Sequence, residues 1–494
     1  MKNGCFRIIS LIILLVLIIT GCTVDNNHGA GKSADTAVRE NEDSIVLRVL
    51  VEKGRKNVDI FYQQVQNVAG QFEEEHANVR IVVEELPEDV ESRTSALEMY
   101  RVEMLAGKGP DVLLLPSQAQ TDTSYKNMLE QLIPDINAAM RNGLFEDISA
   151  YYDADDGLDK ESLHQAVMNA GVVDGARYVL PLKFSFPAVF YNEERLTEAG
   201  LSEEVLAGGV VELMDAITQL GDSDLAGNAW IRHLKWTVLD FFPELLDYDN
   251  QEVLVTKDRV VDFMDSYQAL WAIIIQGNAP VSVSANIRNF VNGYGYWGTD
   301  EHCLQVAKMD TAVCQAALAK ANGMELEMLP LTGNDGKLVA EVTMYGVLCS
   351  GCKNPEIGYE FLREFLLEPT QWEQNVTSKA TLGSGEGYPV RVVGSAEQMY
   401  NSIYQREMPN NVTDKEVKER CALLKHVVIT DEDIPLLQAE IDEVRFPISD
   451  LERELANMVE LELNDFGTGA PLDVDIDAMA QTFIDDLKWH LFEG

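Results

Sequence analysis

Basic residues are scarce: the 494-residue chain carries 38 Lys plus Arg against 82 Asp plus Glu, a formal net charge of −44. Such a surface repels nucleic acid and anionic headgroups, so neither is an expected partner of the folded body. A cleft can still carry a local sign opposite to the whole, so the charge says little about a small ligand. Catalytic signatures are missing as well. There is no Gly-x-Ser-x-Gly elbow, HExxH or Walker A segment, so nucleophilic, zinc and nucleotide chemistry have no motif to rest on. Asp153-Ala154-Asp155-Asp156-Gly157 has the acidic density of a calcium loop. Its glycine falls at the fifth position instead of the sixth, which rules out an EF-hand. Acidic pairs such as Glu84-Glu85 and Asp485-Asp486 arise by chance at this acidity. A glycosidase pair is defined by its separation in a cleft, which sequence spacing does not supply. Internal repeats are absent too.

Cysteine is sparse in the body. Of seven, Cys5 and Cys22 fall in the first 22 residues, leaving Cys303, Cys314, Cys349, Cys352 and Cys421. The odd number leaves at least one unpaired within the chain. Cys349-Ser350-Gly351-Cys352 is a CxxC, which reads as a redox pair, half a metal site, or a buried or locally bridged pair at a strand-to-helix turn. No second CxxC occurs, and His302 is the only histidine beside a cysteine. That disfavours zinc and favours the buried or bridged pair.

The one long apolar run is short. Lys2 and Arg7 precede Ile8–Ile19, apolar except for Ser10. About a dozen residues at ~1.5 Å each fall short of a ~30 Å hydrocarbon core but suit a signal-peptide h-region. Ile19-Thr20-Gly21-Cys22 follows directly and resembles the lipobox of bacterial lipoproteins, whose cysteine is diacylated before cleavage. The alternative is an uncleaved anchor with an incidental cysteine. The resemblance implies a signal peptide over 1–21, lipid (palmitate-type acyl chains) on Cys22, and a place on the outer face of the cell membrane. That face is extracellular, or periplasmic where an outer membrane exists. Residues 22–44 are polar, with almost no large apolar group after the cysteine, and read as a flexible tether.

The remaining ~450 residues are long enough for two or three domains or a two-lobed body. Leu47–Val51, Val79–Val83 and Val112–Leu115 are apolar strand candidates without alternation. Helical periodicity separates them, in Val58, Phe61, Val65, Val68 and Phe72 and again over Leu97–Leu105. Continuous apolar strands alternating with helices predict a parallel sheet covered on both faces, with ligands at the carboxyl ends of its strands. Further β runs lie at Tyr178–Asn192 and Leu338–Leu348. The last third is mostly helical, ending on Met479, Phe483, Leu487 and Leu491. Trp271, Trp372 and Trp489 fall on amphipathic helices and are expected in the core.

Four segments, in this order, resemble extracellular solute-binding proteins of the carbohydrate-type ABC-importer class, the maltose-binding-protein-like family. They are MLAGKGPDVLLLP (Met104–Pro116), FPAVFYNEERLTEAGL (Phe186–Leu201), Lys353-Asn354-Pro355 with Tyr359–Leu362, and Gly387-Tyr388-Pro389-Val390. The resemblance spans most of 45–494 at the level of pattern. It implies an α/β, two-lobed periplasmic-binding-protein-like (type II) fold with a hinge between lobes and a helical C-terminal region. Crossovers are expected near Leu182–Tyr191 and Thr343–Val347. One lobe would comprise 45–185 plus 348–385, the other 186–342 plus 386–494.

The function implied is capture of a sugar or oligosaccharide by lobe closure and delivery to ABC permease subunits, by a monomer without enzymatic activity, cofactor or metal. A surface glycoside hydrolase, or a two-lobed receptor for peptides, polyamines or signalling, remain the alternatives. By family position, the ligand-facing residues would be Glu52, Lys53 and Arg55 after the first strand, and Ser117 and Gln118 after the third. Phe184 and Ser185 at the first crossover, Trp297 within Gly293–Gly298, Tyr345 at the second crossover, and Tyr388 complete the set. Aromatic rings suit the apolar faces of sugars, and amphipathic groups their hydroxyl edges. Phe184 and Tyr345 read equally well as hinge packing, and Glu52, Lys53 and Arg55 as a solvated loop.

Overall fold

The structure, a computed structural model, describes residues 44–52, 60–87, 89–117, 130–221, 242, 245–276, 304–333, 335–373, 387–404, 424–448, 451, 454–455, 458–463 and 470–493. Ile45–Gly494 cluster as one compact unit. Its strands are β1 (Ile45–Val51), β2 (Val79–Glu85), β3 (Val112–Pro116), the small hairpin β4 (Val172–Val173) and β5 (Ala176–Arg177), then β6 (Val179–Ser185) and β7 (Pro187–Tyr191). A second hairpin, β8 (Leu246–Asp247) and β9 (Glu252–Val253), precedes β10 (Leu304–Lys308), β11 (Glu327–Pro330), β12 (Val339–Leu348), β13 (Tyr388–Pro389) and β14 (Glu443–Arg445).

Seven of the described strands form one sheet in the order β13-β6-β12-β3-β1-β2, with β14 also on β12. β1 lies parallel to both β2 and β3, and the helices Ile60–Glu75 and Val90–Leu105 make the crossovers. This is the βαβ arrangement the unalternating strands predict. Asp89 caps the second crossover helix, accepting from the Ser92 amide at 2.9 Å. β12 is the spine of the sheet. Its first residues pair with β14, its middle with β6 and its end with β3, and all ten are buried. A bulge at Thr343 shifts the β6 register between Val342 and Met344.

A three-stranded antiparallel sheet, β10-β7-β11, is the second framework. Its central strand alternates as a two-sided strand must. Ala188 and Phe190 pack into one apolar core, Val189 and Tyr191 into the other. The first core also holds the seven-stranded sheet, and the second holds the helices Val210–Leu220, Lys257–Gln276 and Ile476–Glu493.

The chain passes between the two frameworks at three described places. β6 runs into β7 through Phe186, Leu331–Leu338 joins β11 to β12, and Phe446-Pro447-Ile448 leads from β14 into the second core. Among the described residues, the buried apolar ones of 388–404 and 424–446 line the first core, and those from Ile448 onward the second.

Trp489 departs from its expected place in the core: it is 61% exposed. The buried line of its helix is Ala480, Phe483, Ile484 and Leu487. At about 100° per residue, Trp489 lies some 200° round from Leu487, on the opposite face. Trp271 is half-buried against the second core. The Trp372 side chain lies outside the described residues.

Candidate functional site

At the carboxyl end of β1 the chain reaches Glu52, whose amide donates to the Leu114 carbonyl of β3 at 3.1 Å. This sheet bond turns the Glu52 side chain into the interior, where it is 1% exposed. Its Oε1 accepts from Arg93 Nη2 on the helix Val90–Leu105, and Arg93 is itself buried. Arg93 also donates from Nε to the Glu130 carbonyl at 2.9 Å. Burial pushes the Glu52 carboxyl up to about 7, with the Arg93 charge and hydrogen bond pulling the other way. Oε2 has no hydrogen-bond partner among the described residues.

A second buried carboxylate sits where β12 enters the sheet. Glu341 Oε1 accepts from Ser117 Oγ at 3.2 Å, and Oε2 lies 4.0 Å from Lys308 Nζ and 3.9 Å from Arg445 Nη2. Those groups come from the end of β3, the end of β10 and the end of β14, so one carboxylate ties both frameworks and two of the crossing segments together. Ser185, opposite Glu341 in the β6–β12 register, is 1% exposed. Its Oγ has no partner among the described residues. Lys183, on the same strand, is also buried.

Phe184, Tyr345 and Tyr388, the described aromatic residues of the expected set, form a buried apolar floor here. Phe184 is fully buried, with its ring centroid 5.0 Å from His164, 6.2 Å from Phe186 and 6.4 Å from Tyr388. Tyr388 is buried with its hydroxyl 2.6 Å from Ser395 Oγ. Tyr345 is 1% exposed and meets Phe446 edge-on at 5.8 Å. Burial, followed by the negative Glu52, raises the pKa of its hydroxyl. Each such ring contributes about 2–3 kcal/mol through apolar burial. Gly387 allows β13 to dock on this floor. Its φ is +88°, and a Cβ there would lie 2.0 Å from Thr343 Oγ1 and 2.9 Å from the Phe184 carbonyl.

The structure therefore gathers Glu52, Ser117, Phe184, Ser185, Tyr345 and Tyr388 at one end of the seven-stranded sheet, all with buried side chains. Lys53, Arg55, Gln118, Trp297 and Cys22 lie outside the described residues. Sequence reasoning missed Arg93, Lys183, Lys308, Glu341 and Arg445. A signal existed for two of them. Lys183 and Glu341 are single charges inside otherwise apolar β runs, YVLPLKFSF and LVAEVTMYGVL, and a charge in a strand buried on both faces must have partners.

A cavity of about 570 Å³ lies elsewhere, lined by Met104, Leu132, Ile133, Asp135, Tyr248 and His490 among others. Asp135 accepts from the Ala138 amide at 2.9 Å, from Tyr248, and from His490 Nε2 at 3.1 Å. Burial opposes ionisation there, but these bonds, His490 foremost, hold its pKa below the usual aspartate value. It joins the helix Ile136–Arg141 to the C-terminal helix. No group of three or more His, Cys, Asp or Glu among the described residues could hold a metal. No helix of the described residues is long and apolar enough to cross a membrane.

The sequence profile described as "Bacterial extracellular solute-binding protein" matches residues 57–371, from just before the first crossover helix into the helix Glu368–Glu373. The chain belongs to that family. This extracellular solute-binding protein accordingly falls among binding proteins and not among enzymes. Its fold is the two-lobed α/β type II architecture. The galacto-N-biose-/lacto-N-biose I-binding protein of Bifidobacterium longum, solved with lacto-N-biose, aligns with 92% of this chain and 99% of its own at 14% identity, TM-score 0.52. The GacH receptor of Streptomyces glaucescens, solved unliganded and with acarbose, aligns over 91% of this chain and 99% of its own at 17% identity, TM-score 0.49. A family 1 solute-binding protein of Alicyclobacillus acidocaldarius aligns over 92% and 100% at 15% identity, TM-score 0.47. Comparison with curated protein sequences gives no match.

Proposed function

We propose that this solute-binding protein captures a sugar or oligosaccharide by closure of its two lobes and delivers it to an ABC permease, while tethered to the outer face of the cell membrane through lipid on Cys22. The observation that supports closure is the passage of the chain between two separate cores through only a few described segments, at Phe186, Leu331–Leu338 and Phe446–Ile448. Two bodies joined in this way can rotate about the joints, and a ligand touching both favours the closed form by its differential affinity. The carbohydrate class rests on family membership and on the Bifidobacterium longum protein of the same fold, which carries lacto-N-biose.

In this reading Lys53, Arg55 and Gln118 face the ligand from the ends of β1 and β3, and Trp297 stacks on a sugar face from the second lobe. Glu52, Ser117 and Ser185 form the polar base of that surface, with Phe184, Tyr345 and Tyr388 beneath it. The lobes divide as the cores do, with the described residues of 388–404 and 424–446 returning to the first.

A thermal-shift screen against mono- and oligosaccharides, peptides and polyamines tests the ligand class. A ligand present at a hundredfold excess over its dissociation constant adds about 2.7 kcal/mol of stability. The expected result is a saccharide that raises the melting temperature of the native protein and loses that effect in Trp297→Ala. A response confined to polyamines or peptides would replace the sugar with those classes. For the tether, Cys22→Ser is expected to abolish incorporation of labelled palmitate and to block processing. Unchanged labelling would place the acyl group elsewhere.

A further inference from the structure

The CxxC has no part in the ligand surface, yet the fold holds its two ends together. β12 ends at Leu348, and Cys349-Ser350-Gly351-Cys352 turns the chain toward the helix Pro355–Arg363. The Cys352 amide donates to the Cys349 carbonyl at 2.9 Å, closing a four-residue turn. Such a turn brings its first and last Cα atoms within about 7 Å, and disulfides span Cα separations of about 4.4–6.8 Å. The turn is clamped from outside. The Cys349 amide donates to the Asp111 carbonyl at 2.9 Å and the Ser350 amide to the Leu144 carbonyl at 3.0 Å. A Cβ at Gly351 would lie 3.1 Å from the backbone of Gly107. Cys349 is 4% exposed and Cys352 is half-buried. Both are thiols in this structure.

Neither sulfur suits a catalytic or metal-binding role. Burial raises the pKa of both thiols, and Asp111 adds to the effect on each. A catalytic or metal-binding cysteine needs the opposite, a stabilised thiolate. Among the described residues no third ligand stands by.

From this turn we propose that Cys349 and Cys352 form a disulfide-forming site, oxidised by exchange with a small-molecule disulfide outside the cell. Cys352, the more exposed, loses its proton to solvent and attacks one sulfur of the oxidant, releasing one small thiol. Cys349 then loses its proton and attacks the Cys352 sulfur, releasing the second small thiol. Two protein thiols and one disulfide become one protein disulfide and two small thiols. The bridge staples the turn that joins the end of β12 to the helix Pro355–Arg363. Its occurrence in the organism rests on the extracellular reading above, because cytosolic reductants keep such pairs open.

Peptide mapping of the purified full chain tests this. Trypsin, cutting after Lys337 and Lys353, leaves both cysteines on the single peptide 338–353. After incubation with cystine at mildly alkaline pH, the peptide is expected to take up no iodoacetamide under denaturing conditions until it is reduced, and then two alkyl groups. Two alkyl groups without reduction would overturn the proposal. So would two cysteine adducts, or a cross-link to the peptide carrying Cys303, Cys314 or Cys421. Cys352→Ser separates the steps: Cys349 alone should be alkylated or carry one adduct, and a surviving intrachain link would overturn the pairing. Because the incubation uses purified protein, it tests the turn itself. Thiols that close in the tube but are open in protein taken directly from cells would count against the extracellular location, and leave the pairing supported.

Discussion

Arg93→Met should destabilise the protein by about 3–5 kcal/mol at pH 8, because it strips the partner from a buried carboxylate while leaving the carboxylate in place. Glu52 and Arg93 are 1% and 3% exposed, and Glu52 Oε1 is held by Arg93 Nη2. The loss should shrink as pH falls. With Arg93 present, burial already pushes the Glu52 carboxyl up to about 7, and the lost Arg93 attraction would push it higher. In the unfolded chain the same group titrates near its ordinary value of 4.5. Between those values the folded state binds a proton that the unfolded state does not, so stability falls as pH rises through the window. Denaturant unfolding at pH 8 and pH 5.5 is the measurement. A deficit of equal size at both would show that the cost comes from the lost contacts of Arg93 with the Glu130 and Pro87 carbonyls, not from a stranded charge. Glu52→Gln combined with Arg93→Met should recover part of the stability at pH 8, because no charge then remains to bury.

Gly387→Ala should cost about 3 kcal/mol or more, from two sources that add. The backbone φ of +88° disfavours any L side chain, and the new Cβ would meet Thr343 Oγ1 at 2.0 Å. Turning Oγ1 aside does not remove the clash, since the Phe184 carbonyl at 2.9 Å and Thr343 Cβ at 3.1 Å remain, and the Thr343 backbone is held by the Ser117 amide at 3.0 Å. Gly394→Ala provides the comparison. Its φ is +72°, but nothing lies within 4 Å of a Cβ there, so it should show the conformational cost of about 1 kcal/mol alone. Equal melting temperatures for the two variants would mean that β13 docks on β6 without needing the close approach. Gly387→Ala should also weaken ligand binding if the floor of Phe184, Tyr388 and Thr343 supports the surface above it.

The sequence carried much of this on its own. Unalternating apolar strands with intervening helical periodicity are a direct consequence of a parallel sheet buried on both faces, so β1, β2 and β3 with their crossovers could be read from residues 45–116. The run FPAVFYN was legible for a related reason. Its residues Ala188–Tyr191 alternate between two cores, so the run up to Asn192 carries no charged or strongly polar residue and the strand stands out from its surroundings. The order of segments also pointed to the family that the sequence profile matches over 57–371.

Other features could not be read locally. Glu52 was equally a solvated loop residue until β3 and the helix Val90–Leu105 enclosed it with Arg93. Glu341 acquires Ser117, Lys308 and Arg445 from positions 224, 33 and 104 residues away in the chain. Periodicity reports a residue's own face, not what the chain brings against it. For the same reason Trp489 looked like a core residue when its helix was read alone, and the described residues of 388–404 and 424–446 could not be assigned to a core by their order. Composition, strand type and crossover order are local or additive properties, and the sequence by itself determined them. Which charges are buried together, where Gly387 must yield to Thr343, and which core each returning segment fills were decided only by the tertiary structure. Each depends on contacts between segments that share no sequence neighbourhood.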